Sequence, residues 1–329
     1  MNPTAPAVQS LAELLQQRPV TAPSLIEPGL LPAQGILFFG GEPKVGKSLL
    51  VANLALALAA GVDRLGFPIP APRRVLVCQF ELPLAQFVSR LSMMRRTLGS
   101  AADQRLLVDT QASGHLLSTP QGLSHFLSVA EQAQAEVIVL DPLYSTHDQD
   151  ENDTRAMAAL CQALLRLRDN SGAALVLIHH VRKSINRGEI GSAFRGSSAL
   201  HAVGDSYVLV TRPSPQLPTL ELRFQFRYAP SQAPRLLQLN PQTLWFSGAG
   251  PVPPASAPGR KVEMGDVRQV LTRCGQLRYT QLRQEIMERT NCSKRTAQLA
   301  IAQAAQQGLI RQHAGQYQLP LTGPQNWEC

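Results

Sequence analysis

Gly41, Glu42, Pro43, Lys44, Val45, Gly46, Lys47 and Ser48 follow the spacing G-x-x-x-x-G-K-[ST] at every fixed position. Glycines at this spacing let backbone N–H groups wrap an anionic phosphate, a lysine reaches its terminal oxygens, and a hydroxyl can hold Mg²⁺. The flanks suit that chemistry. An apolar run, Gly35 to Phe39, precedes the loop, and an amphipathic stretch, Leu49 to Ala60, follows it, the order of strand, phosphate loop and helix. The segment is therefore expected to bind a nucleoside triphosphate, with ATP and Mg²⁺ as the pair. Hydrolysis would need two further carboxylates, one to complete the metal shell and one to orient or deprotonate a water. Asp141 ends the apolar run Val137 to Leu140, and Glu81 closes Val75 to Phe80, so both suit the carboxyl edge of a parallel sheet. His179 and His180 close a third such run, Leu175 to Ile178, where one of them could sense the terminal phosphate or bound DNA. No Cys or His partner is spaced to make these histidines metal ligands.

These residues need a scaffold that ends several strands along one edge. Apolar runs near 75–80, 136–140 and 174–178 alternate with helical patterns near 84–99 and 154–170, which predicts buried parallel strands in an α/β sheet. After Gly204 the runs shorten and alternate, as in Ser206 to Val210 and Thr219 to Arg227, which predicts antiparallel edge strands on the same sheet. Residues 1–34 read as an arm with one short helix, 35–248 as the α/β domain, and 249–259 as a Pro-rich linker. A small α+β domain over 260–320 and a tail at 321–329 complete the chain.

The chain has 329 residues and a formal net charge of +8, a balance that favours polyanionic partners. Residues 260–329 hold ten Lys+Arg against five Asp+Glu, so most of that excess sits in the last fifth. Five scattered cysteines give neither a disulfide framework nor C-x-x-C spacing. The start lacks a leader pattern and no membrane-length apolar run follows, so the expected compartment is the cytoplasm. Three helical patterns and a short hairpin pattern around Ala314 and Gly315 resemble a winged helix-turn-helix. Lys294 and Arg295 would lie on the exposed start of its third helix, where DNA is met, although such a fold also serves as a protein-docking module.

The layout of a Glu after the second strand and an Asp on the third resembles RecA-like ATPases, including hexameric DnaB-type helicases. The chain is more closely similar to plasmid replication helicases of the RepA type. The likeness rests on Asp141-Pro142-Leu143 followed by His147, Glu151 and Asn152, then Leu177 to His180, then Arg195 to Leu200, and it spans about 24–247. It implies a five-stranded RecA core in a homo-oligomeric, hexameric ring with ATP between subunits. It also implies an arginine finger supplied to the neighbouring subunit, at Arg227 or the competing Arg223; Gln225 stands where many relatives carry a second basic residue. The segment after the histidines, with Arg182, Lys183, Arg187, Phe194 and Arg195, would line the channel. There the cations would track single-stranded DNA and the aromatic would stack or wedge, with duplex DNA as a second partner. Arg195 could serve the nucleotide site instead. The expected function is an ATP-dependent, ring-forming DNA helicase or translocase in replication of a plasmid or other mobile element. The rivals are a RecA-like recombination ATPase and an ATP-switched DNA-binding regulator.

Overall fold

Six strands of the computed structural model run parallel: β3 (Ile36–Gly41), β4 (Val75–Gln79), β5 (Leu106–Asp109), β6 (Val137–Asp141), β7 (Ala174–His180) and β8 (Ser206–Thr211). The meander β9 (Thr219–Phe226), β10 (Arg235–Asn240) and β11 (Trp245–Pro251) extends them antiparallel, in the order β11-β10-β9-β8-β3-β7-β6-β4-β5. The structure describes residues 8–17, 24–150, 153–181, 190, 194, 198–213, 218–251, 262–290, 292–313 and 315–320. Contacts divide the chain into two units, Met1–Pro251 and Val252–Cys329.

Helices cover both faces of the large sheet, which is why its central strands are apolar on both sides. On one face, α2 (Lys47–Ala60) and α3 (Leu84–Leu98) bury Leu50, Leu54, Leu58, Phe87 and Met94 against Phe39, Val77 and Ile178. On the other, α4 (Pro120–Ala133) and α5 (Thr154–Ser171) bury Phe126, Leu160, Leu164 and Leu167 against Phe38, Ile138 and Leu177. Caps set the helix ends: Thr119 accepts from the Gly122 N–H, Asp153 accepts from Arg155 and Ala156, and Gly61 and Gly172 end α2 and α5 in the left-handed region. Before the sheet lies a seven-residue helix, α1 (Leu11–Gln17), and a six-residue helix, α6 (Ser198–Val203), leads into β8.

Several elements differ from the sequence reading. Strand β8 is parallel and central beside β3; it is not an edge strand, and its first five residues are buried, as for a strand covered on both faces. Residues 24–34, read as part of the arm, include the hairpin β1 (Ser24–Ile26) and β2 (Leu31–Pro32), whose Ile26, Leu30 and Leu31 are fully buried in the core. Residues 249–251, read as linker, complete β11, where Pro251 pairs in register with Arg235; the rest of that linker lies outside the described residues. Strand β5 and helix α4 had no counterpart in the sequence reading.

The second unit packs α7 (Met264–Cys274), α8 (Tyr279–Thr290) and α9 (Lys294–Gln306) around Val267, Leu271, Leu282, Ile286, Ile301 and Ile310. A three-stranded antiparallel sheet flanks them: β12 (Leu277–Arg278), β14 (Gln316–Gln318) and β13 (Arg311–His313), in that order. Ser293 caps α9 by accepting from the Thr296 N–H.

Candidate nucleotide site at the carboxyl edge of the sheet

Register brings the chemistry-bearing residues together. Gly41 at the end of β3 pairs with His180 of β7 and Val210 of β8, and Gln79 of β4 pairs with Asp141 of β6. Five strand ends therefore lie along the edge from which α2 starts. Two glycines in the loop have defined reasons. Gly46 sits at φ 119°, a conformation a side chain resists, and a Cβ on Gly41 would lie 2.5 Å from the Val210 carbonyl oxygen.

The ammonium of Lys47 donates to the carbonyls of Gly41 at 2.8 Å and Glu42 at 2.9 Å, and reaches His180 Nδ1 at 3.0 Å. Because a lysine ammonium only donates, His180 accepts at Nδ1 and its other nitrogen carries the proton. Ser48 Oγ donates to Asp141 Oδ1 at 2.8 Å, joining loop and carboxylate side by side.

Burial dominates the electrostatics. It pushes the Asp141 carboxyl up to about 6, against the Ser48 hydrogen bond and the Lys47 and Arg90 charges, which lower it. It pushes Lys47 down to about 8, opposed by Asp141, Glu81 and Glu42. A cation binding between Ser48 and Asp141 would offset the cost of the buried carboxylate, and phosphate oxygens would do the same for the lysine. The donor set thus fits Mg²⁺ and a triphosphate.

The two histidines separate because successive residues of a strand face opposite sides. His180 meets Lys47, whereas His179 is buried, held neutral with its ordinary value pushed down to about 4 by burial and by His180, and packs near the Phe194 ring at 6.4 Å. Only His180 of the pair is brought to the phosphate loop. Glu81 lies exposed just past β4, where the hydroxyl of Tyr144 donates to its Oε1.

Other expected residues fall elsewhere. Phe194, read as a DNA-stacking aromatic, is 1% exposed and packs against Phe38, Tyr207 and the backbone at Gly40, so its ring is core and offers no face to a base. Arg182, Lys183, Arg187 and Arg195 lie outside the described residues. Arg227 follows β9 at the opposite, amino edge of the sheet, where it donates to Asp205 Oδ1 at 3.1 Å and the Ala202 carbonyl at 3.0 Å. A six-residue strand spans roughly 20 Å, so Arg227 cannot reach the phosphate loop of its own chain. Arg223, its competitor, donates to Glu221 Oε1 at 2.6 Å. In the second unit Lys294 and Arg295 are exposed on the first turn of α9.

Tyr144 and Arg212 had no place in the sequence reading. Arg212 follows β8 and donates to the Val45 carbonyl of the loop at 3.1 Å. Its signal was the end of the apolar run Ser206 to Val210, legible only once that run is recognised as parallel to β3.

Taken together, a mostly parallel sheet with a glycine-lysine-serine loop at its carboxyl edge defines a RecA-like P-loop NTPase fold. Residues 2–185 match the family model described as AAA domain, and the chain belongs to that family. The ATPase domain of G40P superposes with a TM-score of 0.52 at 12% identity, over 73% of this chain and 96% of that one. A DnaB-like replicative helicase, solved with its interactions with primase, superposes with a TM-score of 0.54 at 12% identity, over 73% of this chain and 65% of that one. No helix among the described residues is long and apolar enough to cross a membrane.

Proposed function

We propose that the protein is an ATP-driven, ring-forming DNA translocase or helicase that serves replication of a plasmid or other mobile element. The observation that carries this reading is the junction of Lys47, Ser48, Asp141, His180 and Glu81 around one sheet edge. Lys47 and the loop N–H groups hold the phosphates of ATP, and Ser48 and Asp141 hold Mg²⁺, which when bound neutralises charge on the phosphoryl oxygens. Glu81 orients the attacking water and takes its proton, and His180 changes partner when phosphate draws Lys47 away. Arg227, turned to the far edge of the sheet, serves the site of a neighbouring copy.

The second unit is a winged helix in this reading, with α9 as the element that meets duplex DNA through Lys294 and Arg295. Support comes from its three-helix and β-ribbon order and from the exposed cations on the first turn of α9. The basic excess of residues 260–329 also favours an ATP-switched DNA-binding regulator, the second reading. A forked DNA duplex separates the two. ATP-dependent strand separation that is absent in Lys47→Ala supports the motor, whereas tight duplex binding with no unwinding by the intact protein supports the regulator. Closed rings in electron micrographs favour the helicase, and filaments would favour a recombinase.

A further inference from the structure

Glu81 stands on the loop past β4, exposed, and among the described residues the only side-chain hydrogen bond to its carboxylate comes from Tyr144. A base with free rotamers holds a water poorly, because productive geometry tolerates displacements of only about half an ångström. Tyr144 is well placed to remove that freedom. It lies in the 3-10 turn Leu143–Thr146 that follows Asp141, and both ends of this turn are fully buried. Thr146 donates to the Leu143 carbonyl at 2.7 Å and its own carbonyl accepts from the Leu117 N–H at 2.6 Å, so the turn is anchored while Tyr144, 41% exposed, projects from it. The ring lies 5.3 Å from that of His180, the histidine that accepts from Lys47. One run of contacts therefore joins Glu81, Tyr144, His180 and the phosphate loop.

We infer that Tyr144 is a positioning residue for ATP hydrolysis: its hydroxyl pins one oxygen of Glu81, leaving the other to accept the proton of the attacking water. This rests on the ATPase reading, in which Glu81 acts on water. The Tyr144 hydroxyl is held above its usual range, first by this hydrogen bond and then by burial, so it remains a donor throughout the neutral range. The Glu81 charge attracts Lys47 and repels Asp141, raising the pKa of both, so its carboxylate is close enough to act on the site.

The test uses the intact protein as wild type, Tyr144→Phe, Glu81→Gln, the double variant and Lys47→Ala. Turnover is measured at saturating ATP, and affinity is measured with a fluorescent ATP analogue. The expected result for Tyr144→Phe is a kcat about tenfold lower with the analogue's Kd unchanged, and no further loss when it is added to Glu81→Gln. Tyrosine to phenylalanine on an exposed ring keeps the fold, which circular dichroism checks. Wild-type kcat in Tyr144→Phe overturns the inference alone. An equal loss in kcat and affinity, or a tenfold loss that persists in the Glu81→Gln background, also overturns it. Wild-type turnover no faster than that of Lys47→Ala overturns the ATPase reading and the inference with it.

Discussion

Asp141→Asn should make the nucleotide-free protein more stable while abolishing hydrolysis. Burial raises the Asp141 carboxyl from 3.8 to about 6, so holding it ionised at pH 7 costs roughly 3 kcal/mol, at about 1.4 kcal/mol per pH unit. Asparagine keeps an acceptor for Ser48 but brings an amide of its own into the site, so a gain of about 1–3 kcal/mol is expected. In a domain of this size that is a rise of about 2–4 °C in Tm per kcal/mol. The sign with pH follows from linkage: a carboxyl raised in the folded state contributes stability that is complete below 3.8 and lost as pH rises through about 6. His179 works the other way. Depressed from 6.5 to about 4, it contributes stability that is present above 6.5 and lost as pH falls through about 4. The wild type alone therefore mixes opposing slopes, and the difference between variant and wild type isolates Asp141. Urea unfolding followed by fluorescence of Trp245, buried in the first unit, gives that difference at pH 7, 6, 5 and 4. The variant's advantage should be largest at pH 7 and shrink toward pH 4. A variant less stable than wild type at pH 7, or an advantage independent of pH, would refute the reasoning.

Arg227→Ala should bind ATP with near wild-type affinity yet lose turnover, and mixing it with Lys47→Ala subunits should restore some hydrolysis, because the two variants leave different halves of a shared site intact. Asn53→Ala should cost about 1–3 kcal/mol in urea unfolding: the Asn53 amide donates to the half-buried Leu244 carbonyl at 2.9 Å and its oxygen accepts from the buried Phe246 N–H at 2.8 Å, and both would lose that partner. Gly41→Ala should destabilise by about 1–3 kcal/mol in the same assay, through its contact with the Val210 carbonyl. The double change Lys294→Ala and Arg295→Ala should weaken duplex binding and lower the slope of log K against log salt by roughly 2, read by fluorescence anisotropy across a salt series.

The phosphate loop and the carboxylates at strand ends were legible in the sequence because motif spacing and apolar runs are local signals. Asp141 and Ser48, 93 positions apart, meet at 2.8 Å because each closes or follows a strand, and strand ends can be counted from a single sequence. Which of two adjacent histidines faces the loop was not legible, since a one-residue change of phase turns a side chain to the other face. Phe194 misleads for a related reason: an aromatic among cations and glycines reads as exposed, yet its ring packs on Tyr207 and on Phe38, the latter far away in sequence. Strand β8 was read as an edge because its neighbours in sequence are antiparallel, while its place beside β3 is a long-range pairing. Strand β5 is only four residues long and α4 begins at Pro120, so neither offered a long periodic signal. Tyr144 follows the recognisable Asp141-Pro142-Leu143, but its partner Glu81 is 63 positions away and no spacing rule joins them.

Steady-state ATP hydrolysis by the intact chain, measured alone, with single-stranded DNA and with duplex DNA, tests the central claim most directly. Turnover strongly stimulated by single strands in the wild type, and absent in Lys47→Ala, is the predicted result. Turnover indifferent to DNA, or equal in the two proteins, would contradict it.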